Sequence, residues 1–321
     1  MKVTPALLWM VLGAGIAAGA NAQGWPAKSI RFVSPYAPGG GSDILARSIG
    51  QKLSENLGVA VVIDNRPGAG GVIGTEIVTK SPPDGYTLML GTPAPITVAP
   101  SLMKKMPYDP LRDLTPITLV SIVPAVVAVH PSVPAKSMKE LLALARGKPG
   151  QMTYSSSGNG GTAHLAGLML QTMAGIDIIH VPYRGTGPAL TAAMSGEVTF
   201  TAGNIISSLP MVKAGRVRAL AVTSEKRSPV LPDVPAVAET LPGYAAGPFY
   251  GVLGPGHMPA ELVNRIRGEI VKILHAPEMK NRLSAEGGEP IGSTPEVYAA
   301  MIRSETERWG KVIKAAKIQP E

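Results

Sequence analysis

The sequence predicts an α/β fold with two lobes and mostly parallel sheets, and three observations lead to this prediction. Short β-branched runs recur along the chain, and helical patterns lie between them. These runs are apolar almost throughout, which is typical of strands that are buried on both faces of a parallel sheet. The chain has 321 residues, of which 45% are hydrophobic, so it exceeds the size at which a single core stops growing.

Residues 1–22 have the layout of a secretory signal. A lysine near the start is followed by an apolar run, and the segment closes on Ala-Asn-Ala, which fits a signal-peptidase site. The alternative, a membrane span, is disfavoured because the run is short and rich in Gly and Ala. We therefore predict that the protein is exported and that the signal peptide is cleaved after Ala22.

Nine strand candidates and several helices follow in order. The strand candidates cover residues 30–34, 59–63, 87–90, 126–129, 152–154, 178–181, 198–202, 217–222 and 250–253. Apolar stripes at helical spacing predict helices over 45–57 and 262–273. Ser137 and Glu140 form a capping box that predicts a helix start, and a last helix begins at Pro295.

The two expected lobes are not separated by a long polar linker, so extended crossover strands should join them. The stretch 116–131, which contains several prolines, is one candidate crossover. The loop-rich stretch 228–248 contains the second crossover, by which the chain returns to the first lobe. We assign 23–121 and 247–321 to the first lobe. Residues 122–246 form the second lobe, with hinge crossovers at its ends.

Composition and charge exclude several classes of function. The net charge is +8, but the basic residues are scattered, and aromatic residues make up only 4%. Both features argue against a nucleic-acid-binding surface and favour small anionic ligands. Cysteine is absent, which excludes disulfides, thiolate metal sites and cysteine nucleophiles.

Three turns share one pattern, in which an apolar strand leads into Gly and hydroxyl residues and then into a helix. They lie at 35–43, 155–162 and 182–187. Ligands of parallel sheets bind at the carboxyl ends of strands, and a helix N-terminus there offers free N–H donors to an anion. Ordinary βα loops are the alternative. The pattern predicts a small carboxylate that is gripped from both lobes.

The candidate ligand-binding residues come from these turns and from two further strand ends. Thr92 and Asn204 are polar residues that follow strands. The turns contribute Tyr36, Pro38, Gly39, Gly40, Gly41, Ser42, Asp43, Ser156, Ser157, Gly158, Thr162, His164, Tyr183, Arg184, Gly185 and Thr186.

Three of these candidates have two possible roles. Asp43 would repel a carboxylate, so we expect it to cap the helix that it opens, with water carrying any contact to the ligand. His164 could donate to the ligand or serve as a satisfied histidine near the helix start. Arg184 could meet a second carboxylate or lie on the surface.

Enzymatic functions have little support, and we predict a protein without catalysis, cofactor or metal. The dinucleotide-binding motif G-x-G-x-x-G would need a glycine at position 73, where this sequence has Ile73. The sequence has no G-x-S-x-G and no H-E-x-x-H motif. An exported hydrolase with Ser156 or Ser157 as nucleophile and His164 as base remains the main alternative, but the sequence offers no orienting acid. His180 is expected in the core.

Short motifs occur in order along residues 23–321. They are Trp25-Pro26, Pro38-Gly39-Gly40 with Asp43, residues 65–74, residues 84–88, Pro107-Tyr108-Asp109-Pro110, and residues 154–158, 181–185, 218–222 and 231–235. With this ordered set the chain strongly resembles the Bug family. These are the extracytoplasmic solute-binding proteins of tripartite tricarboxylate transporters.

The resemblance implies a periplasmic binding protein of type II, a hinged two-lobed "Venus flytrap" that closes over a small organic acid. It points to residues 36–43, 156–162 and 183–186 and to the strand end near Asn204 as the site. It also implies a monomer that delivers its ligand to the membrane subunits of a transporter or to a sensor kinase. Residues 201–205 depart from the pattern of many relatives, which carry an acidic or differently polar stretch there.

Overall fold

Strand and helix patterns of the sequence reappear in the computed structural model, which describes residues 24–285, 287–315 and 318. The predicted secretory signal, residues 1–22, lies outside these residues. Within the described part of the chain, no helix is both long enough and apolar enough to cross a membrane.

Nine of the strands follow the predicted apolar runs to within a few residues, and the strands Leu114–Ile122 and Glu289–Pro290 were not among the strand candidates. The strands are β1 (Ile30–Ser34), β2 (Val61–Asn65), β3 (Thr87–Gly91), β4 (Leu114–Ile122), β5 (Ala125–Val129), β6 (Thr153–Ser156), β7 (Ile179–Pro182), β8 (Phe200–Asn204), β9 (Arg218–Val222), β10 (Phe249–Pro255) and β11 (Glu289–Pro290).

The helices lie between the strands, and those over Gly41–Leu57 and Ala260–His275 contain the predicted apolar stripes. They are α1 (Gly41–Leu57), α2 (Val72–Thr79), α3 (Ala99–Leu102), α4 (Met138–Gly147), α5 (Thr162–Ala174), α6 (Thr186–Ser195), α7 (Ile205–Lys213), α8 (Ala260–His275), α9 (Pro277–Ala285) and α10 (Pro295–Ala315). Short 3₁₀ turns cover Ala69–Gly71 and Val237–Glu239, and a π-helical turn covers Ala94–Val98.

Two sheets form the framework, and the predicted α/β class is confirmed. One sheet has the strand order β11-β4-β10-β3-β1-β2, and the other has the order β7-β6-β8-β5-β9. Both sheets are mixed, so the expectation of mostly parallel sheets is wrong. The strands of the βα units, β1 with β2 and β3, and β6 with β7 and β8, pair in parallel. The crossover strands β5 and β10 pair antiparallel with their neighbours in the two sheets.

Two crossover segments connect the sheets and lie side by side. The first passes from β4 to β5 through Val123 and Pro124, and the second returns from β9 to β10. The Val123 N–H donates to the Pro248 carbonyl at 3.1 Å, and the Ala125 N–H donates to the Thr223 hydroxyl at 2.9 Å. These bonds tie both crossovers together where the chain changes sheets.

Local chemistry explains how α1 ends and how α4 begins. In α1, Leu45, Ile49 and Leu53 form the buried stripe, and the helix stops at Gly58, whose φ of 69° closes the last turn. In α4, the Glu140 N–H donates to Ser137 Oγ at 3.2 Å. The Glu140 carboxylate accepts from the Lys136 N–H instead of the Ser137 N–H, so the predicted capping box is shifted by one residue.

Candidate functional site

The parallel strands of both sheets end at the space between the sheets, and helices begin there. Ser34 ends β1 ahead of α1, Ser156 ends β6 ahead of α5, and Pro182 ends β7 ahead of α6. Asn204 ends β8 and is the N-cap of α7, where its side chain accepts from the Ile206 N–H at 2.8 Å. The chain topology therefore brings the predicted turns of both sheets together.

Three of these helix starts leave backbone donors free. The first intrahelical bonds run from Ile44 to Gly40 in α1, from Leu165 to Gly161 in α5 and from Ala189 to Gly185 in α6. The N–H groups that precede these bonds have no helical acceptor and carry the positive end of the helix dipole. The start of α7 differs, because its first N–H groups bond to Pro124 and Asn204.

A cavity lies between these helix starts. It is lined by Tyr36, Ser42, Thr92, Pro93, Ala94, Ser156, Ser157, Thr162, Ala163, Thr186, Ala189, Thr201, Ala202, Gly203, Asn204, Pro248 and Tyr250. No side chain of this lining carries a charge. The surface of the cavity consists of hydroxyl, amide, aromatic and small apolar groups.

Eight of the predicted binding residues line this cavity, and the other ten do not. The eight are Tyr36, Ser42, Thr92, Ser156, Ser157, Thr162, Thr186 and Asn204. The ten that are absent from the lining are Pro38, Gly39, Gly40, Gly41, Asp43, Gly158, His164, Tyr183, Arg184 and Gly185.

The glycines among these ten allow turns from the two sheets to touch. A Cβ on Gly40 would lie 3.4 Å from Thr186 Cβ, and a Cβ on Gly185 would lie 3.2 Å from the Ala37 nitrogen. Gly185 also has a φ of 134°, which side chains other than glycine rarely adopt. Gly70 similarly faces the Asn159 carbonyl, where a Cβ would clash. Turns that belong to the two sheets thus pack closely against each other next to the cavity.

Gly41 has a further constraint at the first residue of α1. A Cβ there would lie 2.8 Å from Asn204 Oδ1 and 2.9 Å from the Tyr250 hydroxyl. The Asn204 amide donates to this hydroxyl. Asn204 and Tyr250, which come from different sheets, therefore meet directly above the start of α1.

Asp43 is buried outside the cavity and is fully engaged. Its carboxylate accepts from the Gly39 N–H, from Arg47 Nε and from Asn65 Nδ2, each at 3.0 Å. Burial by itself raises the pKa of Asp43, but the bonds from Arg47, Gly39 and Asn65 outweigh it and hold the pKa below its ordinary value. Gly40 holds the N-cap position, so Asp43 stabilises the turn from inside the first helical turn.

His164 occupies the equivalent place at the start of α5. Its Nδ1 accepts from the Gly160 N–H at 3.0 Å, so the other ring nitrogen carries the proton of the neutral form. The ring stacks on His180 with 4.1 Å between ring centroids. Burial lowers the pKa of His164 to about 4.

His180 is expected in the core, but it is only partly buried and contacts a cavity residue. Its Nε2 lies 2.5 Å from Ser156 Oγ, which also accepts from the Gly158 N–H at 3.1 Å. Burial first, and then the neighbouring His164, lower the pKa of His180 to about 3. Both histidines are therefore neutral at neutral pH, and His180 stabilises the Ser156 turn through its contact with Ser156 Oγ.

Tyr183 and Arg184 lie away from the lining. The Tyr183 hydroxyl donates to Glu197 Oε1 at 2.6 Å, and burial together with this carboxylate raises the pKa of Tyr183 to about 12. Arg184 is exposed. Of the two roles open for Arg184, its position agrees with the surface role.

The hydroxyl groups of the lining differ in how they are used. The Tyr36 hydroxyl lies 3.1 Å from Thr92 Oγ1, and burial raises its pKa to about 12, so it stays protonated. The hydroxyls of Ser157, Thr162 and Thr186 make no hydrogen bond to any other described residue. They can donate to a guest in the cavity without breaking an existing bond.

Tyr250 is the main lining residue that sequence reasoning missed. The search for ligand residues followed the carboxyl ends of strands, but β10 runs antiparallel to β3, so its beginning lies at the cavity. Thr201 and Gly203 lie within β8, ahead of its end. A pattern that considered the starts of antiparallel crossover strands would have included Tyr250.

Comparison with known proteins agrees with this arrangement. Residues 45–318 match the family described as the tripartite tricarboxylate transporter family receptor, TctC. The chain is 36% identical to protein BugT of Bordetella pertussis over 303 residues, which cover 94% of this chain and 93% of BugT.

Two solved structures that hold organic acids have the same fold. One is R. palustris Rpa4515 with adipate, which has a TM-score of 0.89 and 37% identity and covers 92% of this chain and 100% of its own. The other is MatC (Rpa3494) from Rhodopseudomonas palustris with bound malate, with a TM-score of 0.86 and 30% identity. That match covers 90% of this chain and 100% of MatC.

Proposed function

The chain belongs to the receptor family of the tripartite tricarboxylate transporters, and on this premise we propose that it captures a small carboxylate in the cavity between its sheets. Family membership confirms the resemblance to Bug proteins, and the fold is the two-lobed α/β fold of periplasmic binding proteins. The protein is a solute-binding protein for small carboxylates.

One observation carries this function for the chain itself. Three open helix N-termini, those of α1, α5 and α6, face one cavity whose lining contains no acidic side chain. Free N–H groups and positive helix ends stabilise a carboxylate, and no negative group opposes it.

We assign the ligand contacts within the predicted set. Ser42, Thr162 and Thr186 stand at the helix starts, and Ser157 lies in the turn ahead of α5; they reach the cavity through backbone N–H and hydroxyl groups. Tyr36, Thr92, Ser156 and Asn204 complete the wall. Pro38, Gly39, Gly40, Gly41, Gly158 and Gly185 shape the turns, and Asp43 and His164 position them. Tyr183 and Arg184 have no role in binding in this assignment.

The crossover segments serve as the hinge. In this assignment residues 23–121 and 247–321 move as one lobe, and residues 122–246 move as the other. The turns that touch next to the cavity represent the closed arrangement, and opening exposes the helix starts to solvent. A ligand that contacts both lobes shifts the population toward the closed arrangement.

The cellular role follows the family. The protein works in the periplasm after export and cleavage after Ala22, and it acts as a monomer. It presents the closed, loaded form to membrane subunits of a tripartite tricarboxylate transporter, or to a sensor kinase. A difference in shape between open and closed lobes allows such partners to recognise loading.

Catalysis is not part of this proposal, although Ser156 and His180 form a close pair. A histidine whose pKa is about 3 is a weak base at neutral pH. Within the described residues no carboxylate hydrogen-bonds to His180, so a serine hydrolase would lack its orienting acid. A nicotinamide oxidoreductase is less favoured still, because Ile73 interrupts the glycine fingerprint.

Isothermal titration calorimetry against dicarboxylates, tricarboxylates and aromatic acids tests the function. We expect at least one aliphatic acid to bind with a dissociation constant in the micromolar range or below, and an ester and amide panel to show no turnover. Absence of binding across the acids would contradict the proposed function. Product release from the ester panel would favour the hydrolase.

A further inference from the structure

An apolar contact joins the two lobes outside the ligand cavity. Its buried residues are Val98, Leu165, Trp309 and Ile313, each at most 3% exposed. None of them belongs to the lining of the cavity. In the lobe assignment proposed above, Leu165 lies in the second lobe and the other three lie in the first. We refer to these four residues as the interlobe cluster.

The interlobe cluster is separate from the hydrophobic cores of the lobes. The core of the second lobe includes Ala166 and Leu170 of α5, but not Leu165. A core of the first lobe includes Ile302 of α10, but not Trp309. Separation of the lobes would therefore expose Leu165 and the facing surface of the first lobe, while these cores stay intact.

Both sides of the interlobe cluster lie within about one helical turn of residues that line the cavity. Leu165 follows the lining residue Thr162 in α5. Val98 ends the π-helical turn that begins at Ala94, which also lines the cavity. Val98 packs closely against the turn before α5, because a Cβ on Gly160 would lie 3.1 Å from Val98 Cγ1. The interlobe cluster therefore holds the start of α5 against the first lobe.

Contacts within α10 hold Trp309 in place. Its indole Nε1 donates to Glu305 Oε2 at 3.0 Å. Two further bonds, of 2.9 and 2.7 Å, join the Glu305 carboxylate to Arg308, whose guanidinium lies 4.3 Å from the centre of the Trp309 ring. The polar atom of the indole is thus satisfied by its own helix. Because the ring is already ordered, little side-chain entropy is lost when the other lobe packs against it.

We propose that the interlobe cluster positions the start of α5 for ligand binding, although none of its residues touches the ligand. The inference rests on the proposed function, because the cluster forms as the lobes close. Burial of its apolar side chains stabilises the closed form and therefore raises ligand affinity. A ligand enters the open form, in which the cluster is not assembled. The cluster therefore acts on the rate of dissociation and not on the rate of association.

Truncation of Leu165 tests this positioning role. The probe is whichever of adipate, malate and citrate binds the wild type, and stopped-flow measurement gives the rate constants. We expect Leu165→Ala to weaken binding about tenfold or more, because the side chain loses apolar burial that is gained on closure. The dissociation rate should rise by the same factor, and the association rate should stay within about threefold of the wild type.

Met173→Ala is the matched control, because it shortens an exposed apolar side chain of the same helix. It should leave the affinity and both rates unchanged. Ile313→Ala makes a similar truncation from the first lobe and should also raise the dissociation rate about tenfold. This second variant keeps the test decisive should Leu165→Ala not fold.

Trp309 gives a spectroscopic signature of the closed cluster. The sequence has three tryptophans, of which Trp9 lies in the predicted signal peptide. Trp25 is buried in a different hydrophobic cluster. We expect saturation with the probe acid to shift the tryptophan emission to shorter wavelength, because closure removes water from the Trp309 ring. The shift should persist in Trp25→Phe and be lost in Trp309→Phe.

The outcomes separate this inference from the function. An unchanged dissociation rate in a folded Leu165→Ala or Ile313→Ala protein, or a saturated wild type without an emission shift from Trp309, would overturn the inference and leave the carboxylate function intact. A lower melting temperature of the ligand-free variant at unchanged affinity would show a merely structural role and would also overturn it. Absence of binding by every acid of the calorimetric titration would contradict the function and with it the inference.

Discussion

The turns that lead into α1 and into α5 have the same backbone plan but different chemistry. In each, the third helical residue accepts from the N–H four residues earlier: Asp43 from Gly39, and His164 from Gly160. Asp43 is charged and requires Arg47 and Asn65 as partners, whereas His164 is neutral and stacks on His180. The comparison shows that either a charged or a neutral side chain can hold a ligand-binding turn in place, provided that a charged side chain does not contact the ligand.

The first helical residue also differs between the turns, and this difference gives the largest expected effect. Gly41→Ala would place a methyl group against Asn204 and Tyr250. We expect ligand affinity to fall about 10- to 100-fold, because overpacking costs about 1–3 kcal/mol and the start of α1 must move. Calorimetric titration measures this loss.

Thr162→Ala makes a change at the equivalent position of α5 and should cost much less affinity. Gly268→Ala is the control for a helical glycine, because a Cβ there meets nothing within 4 Å. It should raise stability by about 1 kcal/mol and leave affinity unchanged. Wild-type affinity in Gly41→Ala would show that Asn204 and Tyr250 do not constrain the turn.

The charged anchor of the first turn should matter more for stability than the neutral anchor of the second. Asp43→Ala leaves the Gly39 N–H without its acceptor and removes one of the two acceptors of the Asn65 amide, which keeps the Tyr36 carbonyl. We expect a loss of about 2 kcal/mol in the free energy of unfolding, less than for a fully buried pair because Arg47 is half exposed. Urea unfolding of Asp43→Ala and His164→Ala measures the difference, and a larger loss for His164→Ala would reverse the order of the anchors.

The two anchors should also respond to pH in different ranges. His164 and His180 have pKa values lowered to about 4 and about 3, so the unfolded chain binds more protons than the folded one below the ordinary value of 6.5. Their contribution to stability is complete above 6.5 and declines as the pH falls toward 4. The pKa of Asp43 is lowered from 3.8, so its contribution persists through that range and is lost only at lower pH.

Thermal unfolding followed by calorimetry between neutral pH and pH 4.5 tests whether the histidines, and not Asp43, cause the loss of stability in this range. The double variant His164→Phe and His180→Phe should show a flatter decline of melting temperature than the wild type. Asp43→Asn should keep the wild-type slope across the same range. Identical slopes for the histidine variant and the wild type would contradict burial of a neutral histidine pair.

The free hydroxyls of the second turn should give the smallest effect. Ser157→Ala combined with Thr162→Ala removes two free donors from the cavity wall. We expect stability to change by less than about 1 kcal/mol and affinity to fall about 5- to 30-fold, at about 0.5–1 kcal/mol for each hydrogen bond. Unchanged affinity in this double variant would remove the α5 turn from the ligand site.

The sequence was sufficient for the α/β class and for the three turns, because strand and helix periodicity and Gly-rich strand ends are local signals. It was insufficient for Tyr250, whose position depends on β10 running antiparallel to β3. It was equally insufficient for His180, because its contact with Ser156 depends on the pairing of β6 with β7. Long-range pairing decides such contacts, and no local pattern encodes it.

A crystal structure of the protein with a bound dicarboxylate tests the central claim most directly. We predict a carboxylate group within about 3.2 Å of backbone N–H groups at the starts of α1, α5 or α6, with Asp43 still bound to Arg47. A ligand carboxylate that pairs with Arg184 or another basic side chain, or a ligand that binds outside this cavity, would contradict the claim. The claim is that helix N-termini without charged side chains bind the carboxylate.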